Sequence, residues 1–112
     1  TFIICLVLLN SIKYLNKPEK VIKIHSENNK NNVVLVIEDN GEGILDHDLP
    51  RVFEYGFTGT DRQKQYSTGI GLYLCKKLCN KMNLDIKIES QYKKFTKVKI
   101  IFPKISIDNN LF

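Results

Sequence analysis

The residues with the most chemistry to offer stand at the end of an apolar run. Val33-Val34-Leu35-Val36-Ile37 leads into Glu38-Asp39-Asn40-Gly41-Glu42-Gly43. A buried strand that stops at an acid and turns at once on two glycines brings a carboxylate to the strand end. The glycines let the backbone approach a flat ligand closely. Asp39 can there accept a hydrogen bond from an exocyclic amine; Asp-Asn-Gly reads equally as a polar turn with an exposed acid. A second group is Asn10, Lys13 and Tyr14, whose i, i+3, i+4 spacing puts an amide, an ammonium and a phenol on one helix face. Such a face suits a metal-bound phosphate, although a solvated last turn with a lysine near the helix C-terminus is the plainer reading. A third is Ser67-Thr68-Gly69-Ile70-Gly71-Leu72. A helix opening there points free N–H groups and a positive dipole end at phosphate; a capped, glycine-rich helix entry explains it as well.

The remaining reactive side chains offer less. Cys5, Cys75 and Cys79 are an odd number with no spaced framework, which argues against a secreted disulfide scaffold. Cys75 and Cys79 lack nearby histidines and read as buried thiols rather than a zinc site. The chain of 112 residues is 43% hydrophobic and 26% charged, which suits one globular domain. Its formal charge of +5 favours an anionic partner. The lysines are scattered rather than run together, so no nucleic-acid patch is expected.

The elements that must position these groups follow from periodicity. Phe2 to Leu15 predicts a helix, apolar all round in its first half, ended by Asn16-Lys17-Pro18. Its eight opening apolar residues, Phe2 to Leu9, are too few to span a bilayer, and no basic flank precedes them as in a signal peptide. Val21–Ser26 predicts a strand in which Ile22 and Ile24 alternate with Lys23 and His25. Val33–Glu38 predicts its hairpin partner, central in the sheet because both faces are apolar. Leu45 to Thr68 has no clean period and predicts a lid or binding loop, with Phe53 and Phe57 forming a short helical turn pinned to the core. The second helix carries Leu72, Leu74, Cys75, Leu78, Cys79 and Met82 on one side and Lys76, Lys77, Asn80 and Lys81 on the other. Leu84–Glu89 and Thr96–Phe102 alternate strictly, with Gln91-Tyr92-Lys93-Lys94 as the hairpin between them, and Pro103 ends the last strand.

Taken in order, Asn10-x-x-Lys13-Tyr14, Asp39-x-Gly41-x-Gly43, the loop with Phe53 and Phe57, and Gly69-x-Gly71 resemble the ATP-binding domain of sensor histidine kinases, in the GHKL superfamily. The resemblance runs from about Leu8 to Phe102. It implies a Bergerat-type α/β fold: a two-layer sandwich of a mixed, largely antiparallel sheet packed on helices, here N-terminally truncated. The domain is expected over residues 1–103, with a tail over 104–112. The cofactors implied are ATP and Mg2+. Asn10 would hold the magnesium ion, Lys13 would contact phosphate, and Tyr14 would pack near ribose or adenine. Asp39 would accept the adenine amino group, and Gly41 and Gly43 would shape the pocket. Phe53 and Phe57 would anchor the lid, and Thr68, Gly69 and Gly71 would hold phosphate. Thr96 would help bind adenine through water. The wording around Tyr55-Gly56-Phe57 and Gly69-Ile70-Gly71 looks most like small membrane kinases that sense peptide antibiotics.

The resemblance implies a protein histidine kinase that delivers the ATP γ-phosphate to a histidine on a separate domain. Its partners would be that phosphoacceptor dimerisation domain and a response regulator. The whole protein would be a membrane-bound homodimer with this domain in the cytoplasm. Departures from the family pattern stand at Leu6, where a polar residue is common, at Tyr55 and Thr58, where arginine is common, and at Phe95, where glycine is usual. Arg62 or Lys64 would then meet phosphate charge. His47-Asp48 lies in a loop after the glycine turn and not on a separate helix, so it is not read as the phosphoacceptor. The rival readings are a serine kinase that inhibits a sigma factor and an interaction module that has lost its ligand.

Overall fold

The computed structural model describes Glu19, residues 21–57 and residues 71–104. The predicted first helix and the segment 58–70 lie outside these residues. Strand β1 (Ile22–Asn28) and strand β2 (Asn32–Asp39) form the first hairpin; helix α1 (Gly71–Lys81) precedes strands β3 (Asp85–Gln91) and β4 (Phe95–Pro103). The sheet order is β1-β2-β4-β3, and every neighbouring pair is antiparallel. The mixed component of the expected sheet is therefore absent among the described strands. β2 is central, as its two apolar faces require: Val36 and Ile37, on opposite faces, are both fully buried.

Register turns alternation into layers. On one face Leu35, Ile100 and Ile86 form a row, and Ile37, Val98 and Ile88 form the next. α1 lays Cys75 and Cys79 onto them, with Leu78, Leu84 and Phe53 at the margin of the same core. Burial pushes the Cys75 thiol up to about 11 and raises that of Cys79. On the opposite face Lys23, Glu38, Lys97 and Glu89 stand side by side across the strands, alternating in sign. Lys97 Nζ lies 3.7 Å from Glu38, and Lys99 Nζ lies 3.0 Å from Glu89. The bond from Lys99 holds the Glu89 carboxyl below its usual range.

Two expectations fail at margins. Ile24 shares the core-facing parity of Ile22 yet is 52% exposed. It sits on the edge strand, whereas α1 lies against β3 at the other side of the sheet. Met82 is also exposed, because the helix has already stopped. Asn83 adopts a left-handed φ of 58°, its N–H donates to the Asn80 carbonyl, and the Leu84 N–H donates to the Cys79 carbonyl at 2.8 Å. This is a Schellman cap, closed by apolar Leu84 beside Cys79.

Candidate nucleotide-binding site

At the C-terminal end of β2 the apolar rows give way to a polar one. Register places Asp39 opposite Thr96, and Thr96 opposite Ser90, so the three share the core-side face of β2, β4 and β3. Asp39 is 5% exposed and Thr96 9%. A carboxylate this buried must be hydrogen-bonded; the Gly41 N–H donates to Asp39 Oδ1 at 2.9 Å. The acid therefore caps its own turn from inside the protein. The sequence left Asp39 as a possible exposed turn acid, and the structure removes that alternative.

The rest of the turn is tied from two sides. Asn40 Oδ1 accepts the Val21 N–H at 2.9 Å, and Asn40 Nδ2 donates to the Glu19 carbonyl at 2.6 Å, which pins the chain entering β1 beside the end of β2. Gly43 has a left-handed φ of 74°. A Cβ there would stand 2.9 Å from Tyr92 Cα and closer still to the Gln91 carbonyl oxygen. Glycine is required both by its conformation and by this close packing on the β3–β4 turn. The Lys93 N–H donates to the Glu42 carbonyl beside it. Gly41 is buried in the turn.

Ser90, which the sequence reading left between the strand ending at Glu89 and the hairpin starting at Gln91, lies in β3 and joins these parts. Its Oγ accepts the Ile44 N–H at 2.8 Å, donates to the Phe95 carbonyl at 2.7 Å, and lies 3.1 Å from Thr96 Oγ1. Parity offered the signal, since residues 86, 88 and 90 fall on one face of a strand.

Beyond the glycines the chain proceeds by tight turns rather than a helix under Phe53 and Phe57. The Asp48 and Leu49 N–H groups donate to the Leu45 carbonyl, and a single 3-10 turn follows at Leu49–Arg51. Pro50 suits that position because its missing N–H would be unpaired there. Asp48 is fully buried, with the exposed His47 imidazole 3.6 Å from its carboxylate. Phe53 packs against the core, whereas Phe57 is half-buried with the Arg51 guanidinium 4.4 Å above its ring. Tyr55 is exposed and meets Tyr73 of α1 edge-on at 5.1 Å.

Gly71 opens α1, and no described atom lies within 4 Å of where its Cβ would be. Its packing thus does not demand a glycine, unlike that of Gly43. Asn10, Lys13, Tyr14, Thr68 and Gly69 lie outside the described residues, so the structure brings together Asp39, Gly41, Gly43 and Thr96, with Phe53 and Phe57 on the adjoining loop.

Comparison with known proteins gives the family and the fold. Residues 2–106 match the family described as histidine kinase-, DNA gyrase B- and HSP90-like ATPases. Sensor histidine kinase GraS of Staphylococcus epidermidis is 40% identical over 99 residues, which is 88% of this chain and 28% of that protein. Sensor protein kinase GraS of Staphylococcus aureus strain MRSA252 is 38% identical over 98 residues, 87% of this chain and 28% of that protein. The chain thus spans little more than a quarter of the length of these relatives. Two solved structures share the fold at 22% identity over 91% of this chain. The mycobacterial sensor histidine kinase MprB has a TM-score of 0.77 with 70% of that chain covered, and the catalytic domain of histidine kinase ThkA has 0.72 with 65% covered. The chain belongs to the histidine kinase-, DNA gyrase B- and HSP90-like ATPase family.

Proposed function

We propose that this chain is the ATP-binding catalytic domain of a two-component sensor histidine kinase. It would deliver the γ-phosphate to a histidine on a separate dimerisation domain, from which a response regulator would draw it. The observation that carries the reading is the buried cross-strand pair Asp39 and Thr96, set against a turn of two glycines. Asp39 receives the adenine amino group, Thr96 the water beside it, and Gly41 lets the ring lie close to the backbone. Phe53 and Phe57 anchor the loop that leads to the phosphates, and Thr68, Gly69 and Gly71 cradle them at the start of α1. Among the described residues nothing packs against the Cβ position of Gly71. Asn10 would hold magnesium, whose preference for few protein ligands and phosphate oxygens fits the single amide oxygen of an asparagine. The metal, when bound, neutralises phosphate charge; Lys13 adds a point charge, and the protein's own part is positioning. Tyr14 packs at the ribose or adenine edge. The whole protein would work as a membrane-bound homodimer with this domain in the cytoplasm.

The test is calorimetry with ATP and ADP, with and without magnesium, on this chain and on Asp39→Asn. Binding should depend on magnesium and weaken at least tenfold in the variant, since a hydrogen bond to a charged group is worth about 1.5–3 kcal/mol. Asp39→Asn binding ATP as the unsubstituted chain does would remove the adenine from this site.

A further inference from the structure

We propose that Ser90 is a positioning residue: it fixes the direction of the Thr96 hydroxyl and thereby which purine the site accepts. The inference rests on the nucleotide reading above and deepens it. A serine hydroxyl has one proton to give and two lone pairs to receive with. The Phe95 carbonyl, 2.7 Å from Ser90 Oγ, can only accept, so it takes the serine proton. The Ile44 N–H can only donate, and at 2.8 Å it occupies one lone pair. The third neighbour, Thr96 Oγ1 at 3.1 Å, can then only be a donor into the second. All three valences of Ser90 are filled, and the proton of Thr96 is committed away from the ligand.

The consequence lies at the other side of Thr96. With its proton held by Ser90, Thr96 presents lone pairs to whatever occupies the strand ends. Its cross-strand neighbour Asp39, when ionised, is also an acceptor, with one oxygen on the Gly41 N–H. Two acceptors side by side select a base edge that donates: a water between them and the base gives one proton to Asp39 and one to Thr96, and so meets the base with lone pairs only. An amine at the purine 6-position satisfies them; a carbonyl there sets acceptor against acceptor. Ser90 touches no part of the base in this account. It acts by denying Thr96 the choice of turning round.

The experiment compares ATP with inosine triphosphate, which differs by having a carbonyl at that position, as ligands of the full chain. The unsubstituted chain should prefer ATP. Ser90→Ala frees the Thr96 hydroxyl to donate, so ATP affinity should fall about tenfold and the ATP preference should narrow about fivefold. Ser90→Thr, which keeps the hydroxyl, should restore both. Thr96→Val leaves Ser90 bonded to Ile44 and Phe95, and should weaken ATP binding and narrow the preference; adding Ser90→Ala to it should narrow it no further. Equal loss of both nucleotides in Ser90→Ala would show a merely structural serine and overturn the proposal. So would an unchanged preference in Thr96→Val, which decides the matter even if Ser90→Ala does not fold. Failure of the unsubstituted chain to bind ATP would sink the nucleotide reading and this inference together, whereas ATP binding with an unchanged preference would sink this inference alone.

Discussion

Single residues in the turn after β2 divide into those that face a ligand and those that hold the turn. Asp39 holds the turn and, on the proposed reading, also meets the adenine; Asn40 only holds, and Gly43 is fixed by its neighbours. Gly43→Ala should therefore act first on stability. A left-handed alanine costs about 1–2 kcal/mol and overpacking about 1–3 more. We expect a loss of about 3 kcal/mol in denaturant unfolding; a loss below half a kcal/mol would mean that the hairpin shifts freely. The carboxylate and the glycines were legible in the sequence as Asp39-x-Gly41-x-Gly43 at the end of an apolar run, although that spacing left the burial of the acid open. Ser90 was not, because serine is also a turn residue and the strict alternation was followed only to Glu89. The burial of Asp48 was not legible either: a polar loop gives no sign that one of its acids is enclosed.

At the scale of elements, periodicity predicted the strands to within two residues and the buried side of α1 at Cys75 and Cys79. It failed at Met82, where the helical count continued past a stop that Asn83 imposes through backbone conformation, and at Ile24, where alternation says which face a residue is on but not whether anything covers it. The two cysteines carry a prediction. The folded pKa of Cys75, about 11, lies above the ordinary 9.0, so the folded state favours the neutral thiol. The stability this gives is complete below pH 9 and is lost as pH rises through about 11. Chemical denaturation between those values should show stability falling with pH, and a thiol reagent at pH 8 should label Cys75 and Cys79 only as fast as the protein opens. Rapid labelling of both in the folded protein would contradict the burial.

For the molecule as a whole, one sheet face is largely apolar with α1 laid over its β3 side, and the other carries a row of alternating charges beside buried Val34 and Val36. The two-layer plan could be read from the sequence, since three of the four strands carry charged residues on one parity. The sheet order could not, because β2 and β4 pair across more than fifty residues and nothing local encodes that choice. Family resemblance supplied the order of motifs; register then showed that Asp39 and Thr96, distant in sequence, are immediate neighbours.

The contact of Gly43 with the β3–β4 turn has a consequence for how this protein can change. Exposed polar hairpins are usually where chains accept extra residues during divergence. Here the turn at Tyr92-Lys93-Lys94 is a wall of the glycine turn, touching it through Tyr92 Cα and the Lys93 N–H. Two residues inserted after Lys93 would lengthen a loop that looks dispensable and displace that wall. Nucleotide affinity should drop severalfold while the helical circular dichroism persists; retained affinity would mean that the wall is not needed. That hairpin should thus tolerate a change of composition better than a change of length.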